Sequence, residues 1–383
     1  MTDRTAHEAL STAEHAARLF DSGRLRQARR LELKTKQALA AEVGVSAAAI
    51  GQYESGVTKP RPDVLERLAT ALDVPPAFFA AGRPMGTLDS SDAHFKALRA
   101  TTAGQRNKAL AYTEQVWELV HVLERWVQFP PLNLPDDQAV EGSLDRARIR
   151  AAAERLRACW NVDLQLPFAH LTRHAEANGI IVVFAPFVRD AEPGRVSAFS
   201  TSKLPRPIVV TPPDRHKDVS RHRFNLAHEL GHFALHQEEV HGEMEIEREA
   251  DAFARELLMP EKAMRNALSS RIEWDKLARL SEKWGVEMKE LIYRSRQLEI
   301  ISEPAAKRAY QRFEIMKKSG VVAEPPTAAY LGELPSIFQR AFEHAEAEGA
   351  SVTSIARDLA WHPKRVRELL GQTDQRPTLR ALL

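Results

Sequence analysis

The sequence predicts a multidomain chain. An all-α N-terminal domain covers residues 20–81, a linker and helical connector 82–143, an α+β domain 144–300, and a helical C-terminal extension 301–383. Three observations carry this reading. At 383 residues the chain is longer than one hydrophobic core supports, and at ~100–200 residues per domain it divides into two or three. Apolar residues recur at helical spacing along most of the chain, and β-branched runs replace that period only between residues 179 and 210. Breaks rich in Gly, Pro, Ser and Asp fall at 82–92 and again at Pro130, Pro131 and Pro135.

In order, Leu25–Leu33, Gln37–Val43, Ala47–Tyr53 and Val64–Leu72 read as short helices closed by Pro75-Pro76. Gly44 permits the tight turn between the second and third, Ser46 caps the third, and Ala41 is expected at a close helix crossing. A longer helix spans Gln105–Phe129, with Leu110, Val116, Trp117, Val120, Leu123 and Val127 at helical spacing and Trp117 and Trp126 expected in the core. Helices Leu144–Trp160 and Pro167–Ala177 follow. Gly179–Phe184, Val196–Phe199 and Ile208–Val210 are short strands, and Ser220–His236, Glu245–Leu258, Trp274–Gly285 and Lys289–Leu298 resume as helices. Helix, sheet and helix in one unit define an α+β domain. From Glu303 the pattern is helical with a break at Pro325-Pro326, and Ser354-Ile355-Ala356, Leu359-Ala360-Trp361 and Val366-Arg367 stand at helix-turn-helix spacing. That last segment is expected to be a degenerate helix-turn-helix used for partner or dimer contacts, with a second DNA contact as the alternative.

Composition narrows the classes. The 54 basic and 52 acidic side chains give a net charge of +2. Arg24 to Pro62 carries eight basic and three acidic residues, whereas Glu238 to Glu256 carries eight acidic and two basic. The near-neutral balance is therefore a cancellation between regions. Cys159 stands alone, so an internal disulfide and a cysteine-based zinc finger are excluded, and a reducing cytoplasm is the expected compartment. It is expected to be a small buried residue. No run of about 18 apolar residues exists, and Met1 to Arg18 lacks the plan of a signal peptide, so no membrane role is expected.

The basic region resembles an XRE (lambda-repressor-like) helix-turn-helix domain. The resemblance rests on Gln37-Ala38-Leu39-Ala40, Val43-Gly44-Val45-Ser46, Ile50 through Gly56, and the Lys59-Pro60-Arg61-Pro62 turn. It implies that the helix after Ser46 enters the major groove of an operator. Gln37, Ser46, Ala47, Ala48 and Gln52 would then lie at the reading surface, with Lys36, Lys59 and Arg61 near phosphates. Glutamine can pair with adenine, while alanine offers only contact with a thymine methyl. A single unit of this kind binds weakly, so a homodimer on a two-fold double-stranded DNA site is expected.

The second motif is His228-Glu229-Leu230-Gly231-His232. Histidines four apart on a helix are offset by ~40° and ~6 Å, so both imidazoles can meet one ion, with Glu229 placed to take a proton from its water. Downstream, Glu247 and Asp251 share a helix face, a Glu ligand with an Asp behind a histidine being the gluzincin-like arrangement. Glu243, Glu245 and Glu249 compete with Glu247 for the third position, and spacing does not decide among them. Two histidines and one carboxylate leave a fourth position for water, the mark of a catalytic zinc site. His241 and Tyr293 are weak candidates for stabilising an oxyanion, and His236 is expected to be structural.

Arg223 through His236, together with Glu247 through Phe253 to Leu257-Leu258-Met259-Pro260, resembles the signature of the ImmA/IrrE family of metallopeptidase-like proteins. The resemblance covers about residues 145–300. It implies a gluzincin-like metallopeptidase domain with one Zn2+ per chain, held by His228, His232 and Glu247 with Asp251 behind them and Glu229 catalytic. It also implies cleavage of a partner regulatory protein, encoded nearby. The alternative is an antitoxin-like repressor whose peptidase-like domain binds a partner toxin without cleaving it.

Overall fold

The computed structural model describes residues 12–89, 94–95, 102–135, 145–185, 198–211, 219–236, 243–322 and 331–372. The expected strand start at Val196 and Ser197, the break at Pro325-Pro326 and the candidate His241 lie outside the described residues. In chain order the helices are α1 (Ser22–Leu31), α2 (Lys36–Val43), α3 (Ala47–Glu54), α4 (Pro62–Ala71), α5 (Ala103–Leu123), α6 (Arg146–Cys159) and α7 (Leu171–Ala177). They continue as α8 (Val219–Leu235), α9 (Glu243–Leu258), α10 (Glu261–Ala267), α11 (Trp274–Trp284), α12 (Met288–Gln297), α13 (Glu303–Lys318), α14 (Ile337–Ala347), α15 (Val352–Leu359) and α16 (Pro363–Leu369). The strands are β1 (His94–Phe95), β2 (Ile181–Phe184), β3 (Phe199–Thr201) and β4 (Ile208–Thr211). Among the described residues no helix is long and apolar enough to cross a membrane.

The described residues divide into two compact units. The first takes in those of Met1–Ser91, Thr101–Phe129 and Ile337–Leu383, the second those of Asp92–Ala100 and Pro130–Ser336. In the first, Thr35 and Ser46 cap α2 and α3 by accepting from the N–H groups of Ala38 and Ala49 at 3.0 and 3.1 Å. Gly44 turns the chain between them at φ 70°, a left-handed conformation that costs a side chain. Leu39, Ala40, Val43, Ile50, Leu65 and Leu68 form the core. Ala40 faces that core, and Ala41, expected there, is exposed, because one residue turns a helix by about 100°.

Helix α5 belongs to this unit. Arg24 of α1 pairs with Glu118 of α5 with both side chains buried, and Gln27 Nε2 donates to Glu114 and Glu118 at 3.1 and 2.9 Å. Helices α14 and α15 also pack against α5. The sequence separates a connector at 82–143 from a C-terminal extension, whereas α5 and the last three helices share one unit with α1–α4. The cause is that α5 is buried on its polar stripe, Thr113, Glu114, Gln115 and Glu118, as well as on its apolar one. Period alone assigns such a stripe to solvent. Trp117 is half-buried and stacks on His121, while Trp126 is 38% exposed and so outside the core.

The second unit contains a four-stranded sheet of order β1-β3-β4-β2. β2 and β4 run parallel, and β3 pairs antiparallel with both β4 and β1. β1 is unanticipated, since its residues fall in the stretch read as linker. One core joins Val182 and Val209 of the sheet with Leu226 and Leu230 of α8, Phe253 and Leu257 of α9, and Leu291 of α12. Ala306, Ala309 and Phe313 of α13 belong to it too, so this unit continues beyond residue 300. Further on, buried Glu333 accepts from the N–H groups of Leu171 and Thr172 at 3.0 Å each and pairs with Arg223 of α8. Burial opposes ionisation of Glu333, but Arg223 and these amides outweigh it and hold its carboxyl below the ordinary range. Cys159 is half-buried, with Sγ 3.1 Å from Asn133 Oδ1, and not the buried residue its apolar pattern suggests.

Candidate metal centre and helix-turn-helix surface

Helix α8 carries His228, Glu229 and His232, all buried, and α9 crosses it at Gly231. A Cβ at Gly231 would stand 3.1 Å from the Phe253 ring and 3.2 Å from Ala250 Cα, so glycine sets how closely the two helices approach. That crossing brings Glu247 and Asp251 over the histidines. His228 Nε2 and His232 Nε2 are 3.1 Å apart, and each is 3.4 Å from one oxygen of Glu247. Among the described residues these three are the group whose donor atoms could hold a metal ion, all within 4.8 Å of one another.

The other ring nitrogens are also engaged. His228 Nδ1 is 2.8 Å from Asp251 Oδ1. His232 Nδ1 is 3.1 Å from His236 Nδ1, and His236 Nε2 is 2.9 Å from Glu249 Oε2. Protons assigned along these contacts run from His228 to Asp251, and from His232 through His236 to Glu249. Both Nε2 lone pairs then face the Glu247 carboxylate. Burial is the main reason the pKa of His236 falls to about 4, which keeps its ring neutral as this relay requires. At Glu247 burial raises the carboxyl, and only when the two Nε2 atoms carry protons do their hydrogen bonds and charge outweigh it and bring it down to about 2. Three electron-rich donors converging on one point suit a cation. A tetrahedral ion about 2.0–2.1 Å from each donor would space them by about 3.3–3.4 Å, close to the separations found.

Of the competing carboxylates, Glu249 is committed to His236 and Glu245 is exposed, while the side chain of Glu243 lies outside the described set. Tyr293 packs under Arg255, whose guanidinium carbon is 4.1 Å from the ring centroid, and under Arg296. Arg255 in turn lies 3.7 Å from Asp251. Ser200 was not anticipated. It is buried on β3 and donates from Oγ to Glu229 Oε2 at 2.6 Å. The one available signal was alternation, which puts Ser200 on the opposite face from Phe199 and Thr201. His236, expected to be structural, joins the centre through His232.

In the first unit, Lys36, Gln37, Ser46, Ala47, Ala48, Gln52, Lys59 and Arg61 are all exposed. Lys36 Nζ lies 3.5 Å from Glu54, and Lys59 Nζ donates to the Arg18 carbonyl at 2.7 Å. Gln37 stands on α2, Ser46, Ala47, Ala48 and Gln52 cap or lie on α3, and Arg61 is the N-cap of α4.

A helix-turn-helix unit of the kind found in DNA-binding regulators, joined to a peptidase-like α+β unit, is the class that this fold and these sites define. Family comparison agrees on both parts. The family described as IrrE N-terminal-like domain matches residues 175–296, and the one described as Helix-turn-helix matches 25–79. The chain is thus a fusion of an XRE-type helix-turn-helix domain with an ImmA/IrrE peptidase-like domain. A search of curated proteins finds no match to the chain.

Proposed function

We propose that this protein is a cytoplasmic, homodimeric DNA-binding regulator whose peptidase-like domain hydrolyses a peptide bond in a partner regulatory protein encoded nearby. The observation that supports the reading best is the convergence of His228 and His232 of α8 with Glu247 of α9, beside a buried Glu229 on α8. His228, His232 and Glu247 would hold one Zn2+ per chain, with Asp251 and His236 fixing the two imidazoles. When bound, zinc would acidify a water and polarise the scissile carbonyl. Glu229 would accept the water proton and deliver it to the leaving amine. Ser200, donating to Glu229 Oε2, would orient that carboxylate. In the first unit, Gln37, Ser46, Ala47, Ala48 and Gln52 would face base edges, and Lys36, Lys59 and Arg61 the phosphates.

The test uses the purified full chain and its neighbouring gene product. One zinc per chain is expected by elemental analysis, with chelator-sensitive cleavage of the partner. Glu229→Gln should retain the metal and abolish cleavage, and His228→Ala should lose the metal. A stable stoichiometric complex that is indifferent to Glu229→Gln and to chelator would overturn the enzymatic reading in favour of an antitoxin-like binder.

A further inference from the structure

The last two helices repeat the turn of the first motif with a constant offset of 316 residues. Thr35, which caps α2, corresponds to Ser351, which caps α15 by accepting from the Ser354 N–H at 3.0 Å. Left-handed Gly44 corresponds to Ala360, also left-handed at φ 50°. The Val45 N–H donates to the Ala40 carbonyl at 3.0 Å, and the Trp361 N–H to the Ala356 carbonyl at 2.8 Å. Ser46 and His362 occupy the N-cap positions of the second helices, α3 and α16. Buried Leu39, Ala40, Val43 and Ile50 correspond to buried Ile355, Ala356, Leu359 and Val366. Cap, turn, hydrogen bond and core agree in register, and they lie outside the matched residues 25–79. A non-glycine residue held left-handed at the turn costs about 1–2 kcal/mol, so the turn is retained against a local penalty.

The surface that α16 offers differs from that of α3 in charge. Ala48 is replaced by Lys364, Gln52 by Glu368 and Gln37 by Thr353, all three exposed. Both acids of the segment are engaged, Asp358 by Arg125 and Glu368 by Arg365, whose Nε also donates to Gln115 at 2.7 Å. Arg357, Lys364 and Arg367 make no ion pair among the described residues; one further acid, Asp73, stands 4.0 Å from His362, so around the segment these three bases outnumber it.

We propose that residues 351–370 form a second helix-turn-helix that contacts duplex DNA, with Lys364 at its reading surface where the first motif has Ala48. The inference takes its template from the DNA reading of the first motif. Its test therefore scores the two separately.

The full chain, carrying p-benzoylphenylalanine in place of either Ala48 or Lys364, is irradiated on a mixed-sequence duplex of about four helical turns. A DNA adduct from position 364 is the expected result. Adducts from position 48 alone overturn this proposal and leave the first reading standing, and adducts from 364 alone do the reverse. Crosslinks from 364 to a second copy of the chain, without a DNA adduct, assign the segment to dimer contact and overturn it. Independently, Lys364→Glu should lower the slope of log affinity against log salt by about 1, with the melting temperature unchanged. An unchanged slope rejects the phosphate or base contact at this residue.

Discussion

Replacing Asp251 tests the geometry of the metal centre without touching a donor. His228 is buried, and its Nδ1 lies 2.8 Å from Asp251 Oδ1, the contact that keeps the proton on Nδ1 and the lone pair on Nε2. In Asp251→Ala the ring can take the other tautomer and turn, so some binding energy goes into recovering the competent state. A charge-assisted hydrogen bond is worth about 1.5–3 kcal/mol, but part of it is present with and without metal. Only the difference appears in affinity, and losses behind a ligating histidine run at about 10–100-fold, or about 1.4–2.7 kcal/mol. Asp251→Asn keeps an oxygen acceptor and should lose less. The order of zinc affinity should be wild type, then Asn, then Ala, measured by competition with a chromophoric chelator on proteins of equal melting temperature. If Asp251→Ala stays within about threefold of wild type, Asp251 does not position His228, and the assignment of the protons is wrong.

Three further outcomes follow from single contacts. Ser200→Ala removes the donor at 2.6 Å from Glu229 and should lower kcat for partner cleavage by about 10–100-fold with zinc content unchanged, as steady-state kinetics and elemental analysis would show. Burial raises the Glu114 carboxyl to about 7, against the pull of the Leu88 N–H and Gln27. The native state therefore binds more protons than the unfolded one between about 4.5 and 7, so this stability is complete below that window and is lost as pH rises through 7. Glu114→Gln should flatten the dependence, about 3 kcal/mol across the window, in urea unfolding at each pH. At the two turns opposite substitutions should have opposite effects: Gly44→Ala lowers stability by about 1 kcal/mol and Ala360→Gly raises it by up to as much, read from thermal melting.

What the sequence made legible was short-range. The motif at His228 and His232 and its opposite face at Glu247 and Asp251 are helical spacings within two segments, so the candidate ligands could be named, and Gly44 and Ser46 announced the first turn. Ser200 and Glu333 escaped because each works at long range. Ser200 is 29 positions from Glu229, and Glu333 is 110 from Arg223. Alternation along β3 gives only the face of Ser200, Glu333 belongs to no periodic pattern, and a buried polar residue is placed by the partner it meets and not by its neighbours in sequence. The choice among Glu243, Glu245, Glu247 and Glu249 failed for the converse reason. All four are close in sequence, and only the crossing of α9 over α8 at Gly231 separates Glu247, facing both Nε2 atoms, from Glu249, facing His236.

The C-terminal helices have a structural duty that their position in the chain conceals. Chain order makes them an extension, and an extension can be deleted. Yet Phe338, Phe342, Ile355, Leu359, Trp361, Val366 and Leu369 are all buried, and α14 and α15 cover α5, which carries the partners of Arg24 and Gln27. Burial of each large apolar side chain is worth about 1.5–3 kcal/mol. If only half of these seven contribute against the rest of the unit, ending the chain at residue 336 removes about 5–10 kcal/mol, comparable with the whole stability of an ordinary domain. The truncated chain should therefore lose the cooperative melting of its helix-turn-helix unit while the peptidase-like unit, whose core lies between residues 130 and 336, keeps its own. Two transitions in calorimetry reduced to one is the expected result. Retention of both would mean that α1–α5 fold without their C-terminal cover, and that the buried ring around α5 contributes far less than its area implies.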